Sequence, residues 1–328
     1  MEHLLNSKQD KPPLVILTGP TAVGKTSLSL KLARAVKGEI ISADSMQVYR
    51  GMDIGTAKIR EEEKEGIPHH LIDILDPDQN FDVYSFQRLA KKAIEDILDR
   101  GHVPILTGGT GFYIQAVIRD VDFDESNGPS PIRSELEEEL RQGKNEELWN
   151  ELRKADPDSA AIIHPNNGKR LIRALEFFRE TGKPISRHNK EQQQKGSPFC
   201  FCYFVLNQKR AELYRRINER VDLMVRQGLE EEARHFIQDV KLPPDCTSMK
   251  AIGYREWFDY FEGRADLERT VELIKEDTRH FAKRQLTWFR RESDVIWINK
   301  EEFSFDDDRI LDFMLNTMKR KGIFCKNI

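Results

Sequence analysis

Eight residues, Gly19-Pro20-Thr21-Ala22-Val23-Gly24-Lys25-Thr26, stand between the apolar run Leu14-Val15-Ile16-Leu17 and a segment from Ser27 to Val36 with helical patterning. A strand, a glycine-rich turn and a helix start, in that order, make a phosphate-binding loop. Backbone N–H groups converge on a phosphate, the helix N-terminus adds positive potential, a lysine reaches the outer oxygens and a hydroxyl ligates Mg²⁺. Lys25 and Thr26 occupy those last two places. The same spelling also arises in ordinary βα turns, and the flanking strand and helix separate this instance from them. The chain is expected to bind a polyphosphate or a diphosphate ester.

The rest of the chain repeats that βα rhythm. Strand-like runs fall at Leu14–Thr18, Glu39–Ser42, Leu71–Ile74, Val103–Thr107, Cys202–Leu206 and Val295–Ile298, with amphipathic helices such as Phe86–Arg100 between most of them. Alternation of this kind predicts an α/β fold of the P-loop NTPase type: a parallel sheet with helices on both faces and ligands at the carboxyl ends of the strands. From about 123 to 198 the rhythm breaks into Gly/Pro-punctuated helical segments. Residues 1–122 and 199–328 are therefore expected to form the core domain, with 123–198 an inserted helical subdomain. Long charged helices are expected over Gln208–Phe236 and Leu267–Phe289. With 328 residues, 38% of them hydrophobic, there is ample chain for a full core. Cys200, Cys202, Cys246 and Cys325 have neither a disulfide framework nor zinc-ligand spacing. No run of about 18 apolar residues is present, and the first dozen residues are polar, so a cytoplasmic protein with no membrane partner is expected.

Two further loops leave strand ends on the phosphate-loop side. Asp44-Ser45-Met46-Gln47 follows Glu39–Ser42, and Asp44 reads equally as a general base, a partner of the metal's water shell, or a turn residue. Gly108-Gly109-Thr110-Gly111 follows Val103–Thr107; its glycines would let backbone approach a ligand, and Thr110 offers a hydroxyl. A nucleotide hydrolase usually ends this apolar strand with an acid that serves Mg²⁺, whereas Thr-Gly-Gly-Thr stands here, which argues against simple ATP hydrolysis. The net charge of −4 conceals local segregation. Base concentrates in Arg210–Arg220 and in Thr278–Arg291, where Arg279, Lys283 and Arg290 share a helical sector and Trp288 and Phe289 add aromatic faces, a combination suited to a phosphodiester backbone with unstacked bases. A solvated charged helix has the same composition. The clusters Lys169-Arg170-Leu171-Ile172-Arg173 and Lys250-Ala251-Ile252-Gly253-Tyr254-Arg255 are more often surface charge than sites.

Taken in order, GPTAVGKT, ISADSMQVYRGMDIGTAK (41–58), PHHLIDI (68–74), GGTGFY (108–113), KRLIRALE (169–176), AIGYRE (251–256) and AKRQLTWFR (282–290) resemble the tRNA dimethylallyltransferases over about residues 14 to 298. The resemblance implies transfer of a dimethylallyl group from its diphosphate to N6 of the adenosine adjacent to the anticodon, with diphosphate released. It implies that the phosphate loop grips dimethylallyl diphosphate, with ATP at best a weak mimic, and that Asp44 accepts a hydrogen bond or proton from the attacking amine. Thr110 would help hold the substrates; Lys25 and Arg220, with Mg²⁺ at Thr26, would neutralise the leaving diphosphate. Contacts to tRNA are implied for Asp44 to Gln47, Thr110, Arg133, Lys169 to Arg173, Lys250 to Arg255, and Lys283-Arg284-Gln285-Leu286-Thr287-Trp288-Phe289-Arg290. The base would be flipped into the site. The zinc finger of eukaryotic relatives is expected to be missing, and a monomer is expected. A P-loop kinase, a free-adenylate prenyltransferase and a non-catalytic RNA-binding protein are the alternatives.

Overall fold

The computed structural model describes residues 11–121, 130–194 and 196–323, so Cys325 and the boundary expected near 123 lie outside the described residues. Two compact units are present, one made of Met1–Ile118 with Pro198–Ile328, the other of Arg119–Ser197. The strands are β1 (Pro13–Thr18), β2 (Gly38–Ser42), β3 (His69–His70), β4 (Val103–Gly108), β5 (Cys200–Asn207) and β6 (Val295–Asn299). In chain order the helices run α1 (Lys25–Val36), α2 (Val83–Asp99), α3 (Gly111–Ile118), α4 (Pro131–Arg141), α5 (Asn145–Ala155), α6 (Pro157–Ala160) and α7 (Gly168–Thr181). They continue as α8 (Ile185–Gln194), α9 (Arg210–Arg226), α10 (Leu229–Arg234), α11 (Trp257–Phe261), α12 (Leu267–Phe289) and α13 (Asp307–Arg320).

In the first unit the strands form one parallel sheet in the order β3-β2-β4-β1-β5-β6. β1 lies between β4 and β5, with Val15 opposite both Ile105 and Cys202. A parallel strand covered on both faces reads as a continuous apolar run, and Leu14 through Leu17 are all fully buried. Successive side chains alternate between two layers. Leu14 and Ile16 pack with Phe86, Ile94, Ile114 and Val117 of α2 and α3, whereas Val15 and Leu17 pack with Leu28 and Leu32 of α1 and Met314 of α13. Cys200 and Cys202 share this second face, as their spacing implies. No helix of the described residues is long and apolar enough to cross a membrane.

Two expectations need correction. The strand foreseen at Leu71–Ile74 is confined to His69–His70, because the chain then turns away with Leu71 and Asp73 at positive φ (62° and 55°). Competing bonds explain it: Asp73 N–H donates to Gln47 O, Ile74 and Leu75 N–H donate to Val48 O, and the buried Lys58 ammonium reaches Asp73 Oδ1 at 2.5 Å and Tyr49 O at 2.8 Å. The helix foreseen over Gln208–Phe236 is broken at Gly228, whose φ of 103° ends α9 and redirects the chain into α10.

The second unit is helical and has its own small core of Leu136, Leu148, Leu152, Leu171 and Leu175. Asp156 organises it. Fully buried, it accepts N–H and O–H bonds from both Ser159 and Ser186, tying the starts of α6 and α8 together. Burial alone would raise this carboxyl's pKa; the four donors outweigh it and hold the value below the ordinary range.

Candidate active site

The phosphate loop departs from the end of β1 as a tight turn around an open centre. Gly19 and Pro20 are buried, Val23 is anchored in the core, and Gly24 caps α1 in the left-handed region (φ 96°). Thr18 Oγ1 donates to Gly108 O at 2.6 Å, fastening the loop to the end of β4. Lys25 Nζ donates to Gly19 O and Pro20 O at 3.0 and 2.9 Å. The lysine thus folds onto its own loop.

Two cavities, each of about 280 Å³, adjoin this loop and share Thr21, Ala22, Asp44, Thr56 and Arg220. One is polar and is bordered by Gly24, Lys25, Thr26 and Arg216. The other is walled by Met46, Ile217, Val221, Met224, Ile274 and Phe281, with Thr110 at its edge. Spacing on α9 creates the division. Arg216 and Arg220, four residues apart, face the polar chamber, while Ile217, Val221 and Met224 form the neighbouring stripe. Arg220 Nη1 lies 3.4 Å from Thr21 Oγ1. Asp44 stands at the junction and accepts Met46 N–H on Oδ1 at 2.9 Å. Its turn role is therefore real but occupies one oxygen.

Three cations, Lys25, Arg216 and Arg220, line the polar chamber against one carboxylate, Asp44. Withdrawal from water, then the neighbouring Arg220, push the Lys25 pKa down to about 7, with Asp44 acting in the opposite direction. Burial likewise lowers Arg220. An incoming anion reverses this balance. The free lysine is largely neutral above pH 7 and charged when a diphosphate binds, so binding takes up a proton there and affinity falls by up to about tenfold per pH unit; below pH 7 the lysine's share of the slope vanishes. Metal-free titration of dimethylallyl diphosphate from pH 6 to 9 should show that bend, and Lys25→Arg should remove it. A bend that persists in Lys25→Arg would assign it to another group.

α12 presents two faces of different use. Ala282, Gln285 and Phe289 are buried, at spacings of three and four, whereas Lys283, Arg284, Thr287 and Arg290 are exposed. Gln285 accepts Thr21 N–H at 2.9 Å and donates to Gly109 O at 3.0 Å, so one amide joins the phosphate loop to the glycine loop. Leaving such a buried pair unmade costs about 1–3 kcal/mol. This corrects several expectations. Gln285 and Phe289 are interior, Leu286 is half-buried in the core, and Trp288 packs its indole on Gly111. A side chain at Gly109 or Gly111 would strike Gln285 or Trp288; these glycines admit the protein's own side chains and are not openings for a ligand. Arg279 is engaged by Asn218 and Glu272.

Asp44 to Gln47 begins a long loop held by partners that the sequence does not advertise. Ser42 Oγ donates to Gln47 Oε1. Glu232 of α10 accepts Asp53, Ile54 and Gly55 N–H at 2.9–3.0 Å and the Tyr254 hydroxyl at 2.5 Å. Tyr254 is fully buried against Gly55; Ala251 and Gly253 are buried too, and join Lys250, Ile252 and Arg255 in lining the apolar chamber. Arg255 is paired with Glu256 and Asp277. In the second unit Lys169 and Arg170 are exposed, Leu171 and Ile172 are core residues, and Arg133 and Arg173 both reach the buried Glu176 at 3.5 and 3.4 Å. The side chains of Leu171, Ile172 and Tyr254 are thus buried packing residues. Sequence reading passed over Arg216, Glu232 and the bridging role of Gln285. Only Arg216 had a signal, its i,i+4 relation to Arg220.

Fold and site define a P-loop α/β protein in which a cationic chamber opens directly into an apolar one. The chain belongs to the IPP transferase family, whose model matches residues 47–292. A tRNA dimethylallyltransferase of Lachnoclostridium phytofermentans is 53% identical over 311 residues, 95% of this chain and 99% of its own length. One from Halalkalibacterium halodurans is 46% identical, covering 90% and 94%. Among solved structures, a tRNA isopentenylpyrophosphate transferase of Staphylococcus epidermidis superimposes with a TM-score of 0.70 at 42% identity, covering 94% of this chain and all of that one. A eukaryotic dimethylallyltransferase acting on tRNA gives 0.80 at 30% identity over 93% of this chain and 80% of its own.

Proposed function

We propose that this enzyme transfers a dimethylallyl group from dimethylallyl diphosphate to N6 of the adenosine adjacent to the anticodon of a tRNA. The observation that carries the reading is the pair of joined chambers with Asp44 and Arg220 at their junction. The diphosphate fits the cationic chamber, held by loop N–H groups, Lys25, Arg216 and Arg220. The five-carbon chain and a flipped adenine fit the apolar one, with Thr110 beside them. In the transfer, the allylic C–O bond breaks and its electrons leave with diphosphate, a bond forms from N6 to the allylic carbon, and the N6 proton passes to Asp44. The adenine amine is a weak nucleophile because its lone pair is delocalised, so removal of that proton matters.

Mg²⁺ is a further part of this proposal. Among the described residues no group of three His, Cys, Asp or Glu is placed to hold a metal ion. A lone threonine hydroxyl, Thr26, on the border of the diphosphate chamber suits a cation bound chiefly through substrate oxygens and water. When bound, the ion would neutralise charge on the departing diphosphate. The protein is taken to act as a monomer, since one chain supplies every group named, and, as an enzyme of tRNA, in the cytoplasm.

Incubation with labelled dimethylallyl diphosphate, Mg²⁺ and either unmodified tRNA or AMP tests the reading. Label is expected in tRNA alone; label in AMP, or hydrolysis of ATP that dimethylallyl diphosphate does not inhibit, would replace it. For RNA docking, the exposed face of α12 is the element to change. Lys283→Ala with Arg290→Ala is expected to weaken tRNA binding, and each lost phosphate contact flattens the log–log salt slope by about 0.7 to 0.9. Diphosphate affinity should not move. Unchanged tRNA affinity and salt slope would reduce that face to solvated charge.

A further inference from the structure

Phe281 is the single aromatic residue among the described residues that line the apolar chamber. It belongs to a stripe of α12, Ile274-Thr278-Phe281, spaced four and three apart; Ile217, Val221 and Met224 of α9, spaced in the same way, form another wall. Exposure is graded along both stripes. Ile217, Val221 and Ile274 are at most 2% exposed, whereas Met224 and Phe281 are half-buried and Arg284, one turn beyond Phe281, is exposed. The chamber thus has a deep end of stiff β-branched side chains and a rim that carries Phe281 and Arg284. Phe281 is part of none of the three hydrophobic cores of the described residues. The Arg284 guanidinium carbon stands over its ring, 5.8 Å from the centroid. A large ring left half-open forgoes much of the burial that normally keeps a phenylalanine in a fold, so core packing does not account for this one.

An adenine drawn out of an RNA loop gives up its stacking neighbours, and enzymes that flip bases return part of that loss by stacking the base on aromatic or apolar side chains. A five-carbon chain has no such need and suits the deep end. We propose that Phe281 is the stacking residue for the flipped adenine, an inference that rests on the transfer reading of the two chambers. Arg284 steadies the ring by cation–π attraction. Lys283 and Arg290 occupy exposed positions on the same helix, so a base leaving RNA docked there meets the rim first.

Equilibrium binding of two tRNAs to wild type, Phe281→Leu and Phe281→Tyr provides the test: one tRNA intact and unmodified, the other with an abasic site in place of the adenosine adjacent to the anticodon. Wild type is expected to prefer the intact tRNA. Phe281→Leu should bind intact tRNA about 5- to 150-fold more weakly than wild type does, the worth of one base stacked on one aromatic ring, and Phe281→Tyr should retain the wild-type affinity. Abasic tRNA should bind wild type and Phe281→Leu alike, and dimethylallyl diphosphate should bind all three proteins alike. Equal affinity of wild type for the two tRNAs overturns the proposal without recourse to any variant. Unchanged affinity of Phe281→Leu for intact tRNA, or an equal weakening toward both tRNAs, also overturns it. So does a loss of dimethylallyl diphosphate affinity with tRNA binding unmoved, which gives the ring to the five-carbon chain. None of these results touches the transfer reading, which fails separately if wild type carries label from dimethylallyl diphosphate to no tRNA, and the proposal fails with it.

Discussion

Single-turnover transfer by Asp44→Asn, at saturating tRNA and dimethylallyl diphosphate, is expected to fall by about 10² to 10⁴, equivalent to roughly 3 to 5 kcal/mol of barrier. The variant should fold normally, because the asparagine oxygen can still accept the Met46 N–H that Asp44 Oδ1 accepts now. It cannot take a proton. A second effect has to be separated. Asp44 supports the charge on Lys25, so its neutralisation pushes the lysine pKa further below about 7. Repeating the measurement toward lower pH, where Lys25 regains its proton, distinguishes the two. A loss that persists belongs to the base; a loss that fades shows Asp44 acting through Lys25; turnover near wild type at every pH places the base elsewhere. Unfolding of the variant would make Asp44 structural.

Lys25→Ala and Arg220→Ala are each expected to reduce turnover by about 10² to 10³, the range found when one preorganised donor to developing charge is removed. The departing diphosphate gains charge as the allylic bond breaks, and both cations are already desolvated beside it. Their mutual repulsion provides a more specific signature. Arg220 is one of the causes that lower the Lys25 pKa, so Arg220→Ala should move the pH bend of diphosphate affinity upward from about 7. Misfolding would not produce that shift. Full activity in either variant, or an unmoved bend with activity lost, would contradict the assignment of charge neutralisation to this pair.

The legible parts of this molecule are those whose cause is local. Lys25 and Thr26 follow a strand and open a helix within one short stretch, and the central strands are continuous apolar runs because a parallel sheet buries both faces. The base/turn ambiguity at Asp44 was also legible, and the structure shows the turn bond coexisting with a place at the chamber junction. What could not be read depends on partners far along the chain. Leu71–Ile74 has a strand's composition, but Lys58 and the carbonyls of Gln47 and Val48 win its hydrogen bonds. Helical periodicity reveals that α12 has two faces; it does not reveal that a glutamine on the inner one bridges Thr21 and Gly109. Glu232 carries no motif at all, being one acid among several in α10, yet three consecutive loop N–H groups depend on it. The glycine loop misled for a related reason: absence of a side chain signals that something comes close without saying what.

The Gln285 bridge also places the site in time. Thr21 and Gln285 are 264 positions apart, so a ribosome adding about 5 to 20 residues per second finishes the phosphate loop roughly 13 to 50 s before it makes the residue that locks it. For most of that interval the nascent chain carries a phosphate-loop sequence without α9 and its arginines, and throughout it the bridging amide is missing. A polypeptide interrupted before α9 therefore lacks the arginines, and one interrupted before residue 285 lacks the amide, that convert a generic phosphate-binding turn into this site.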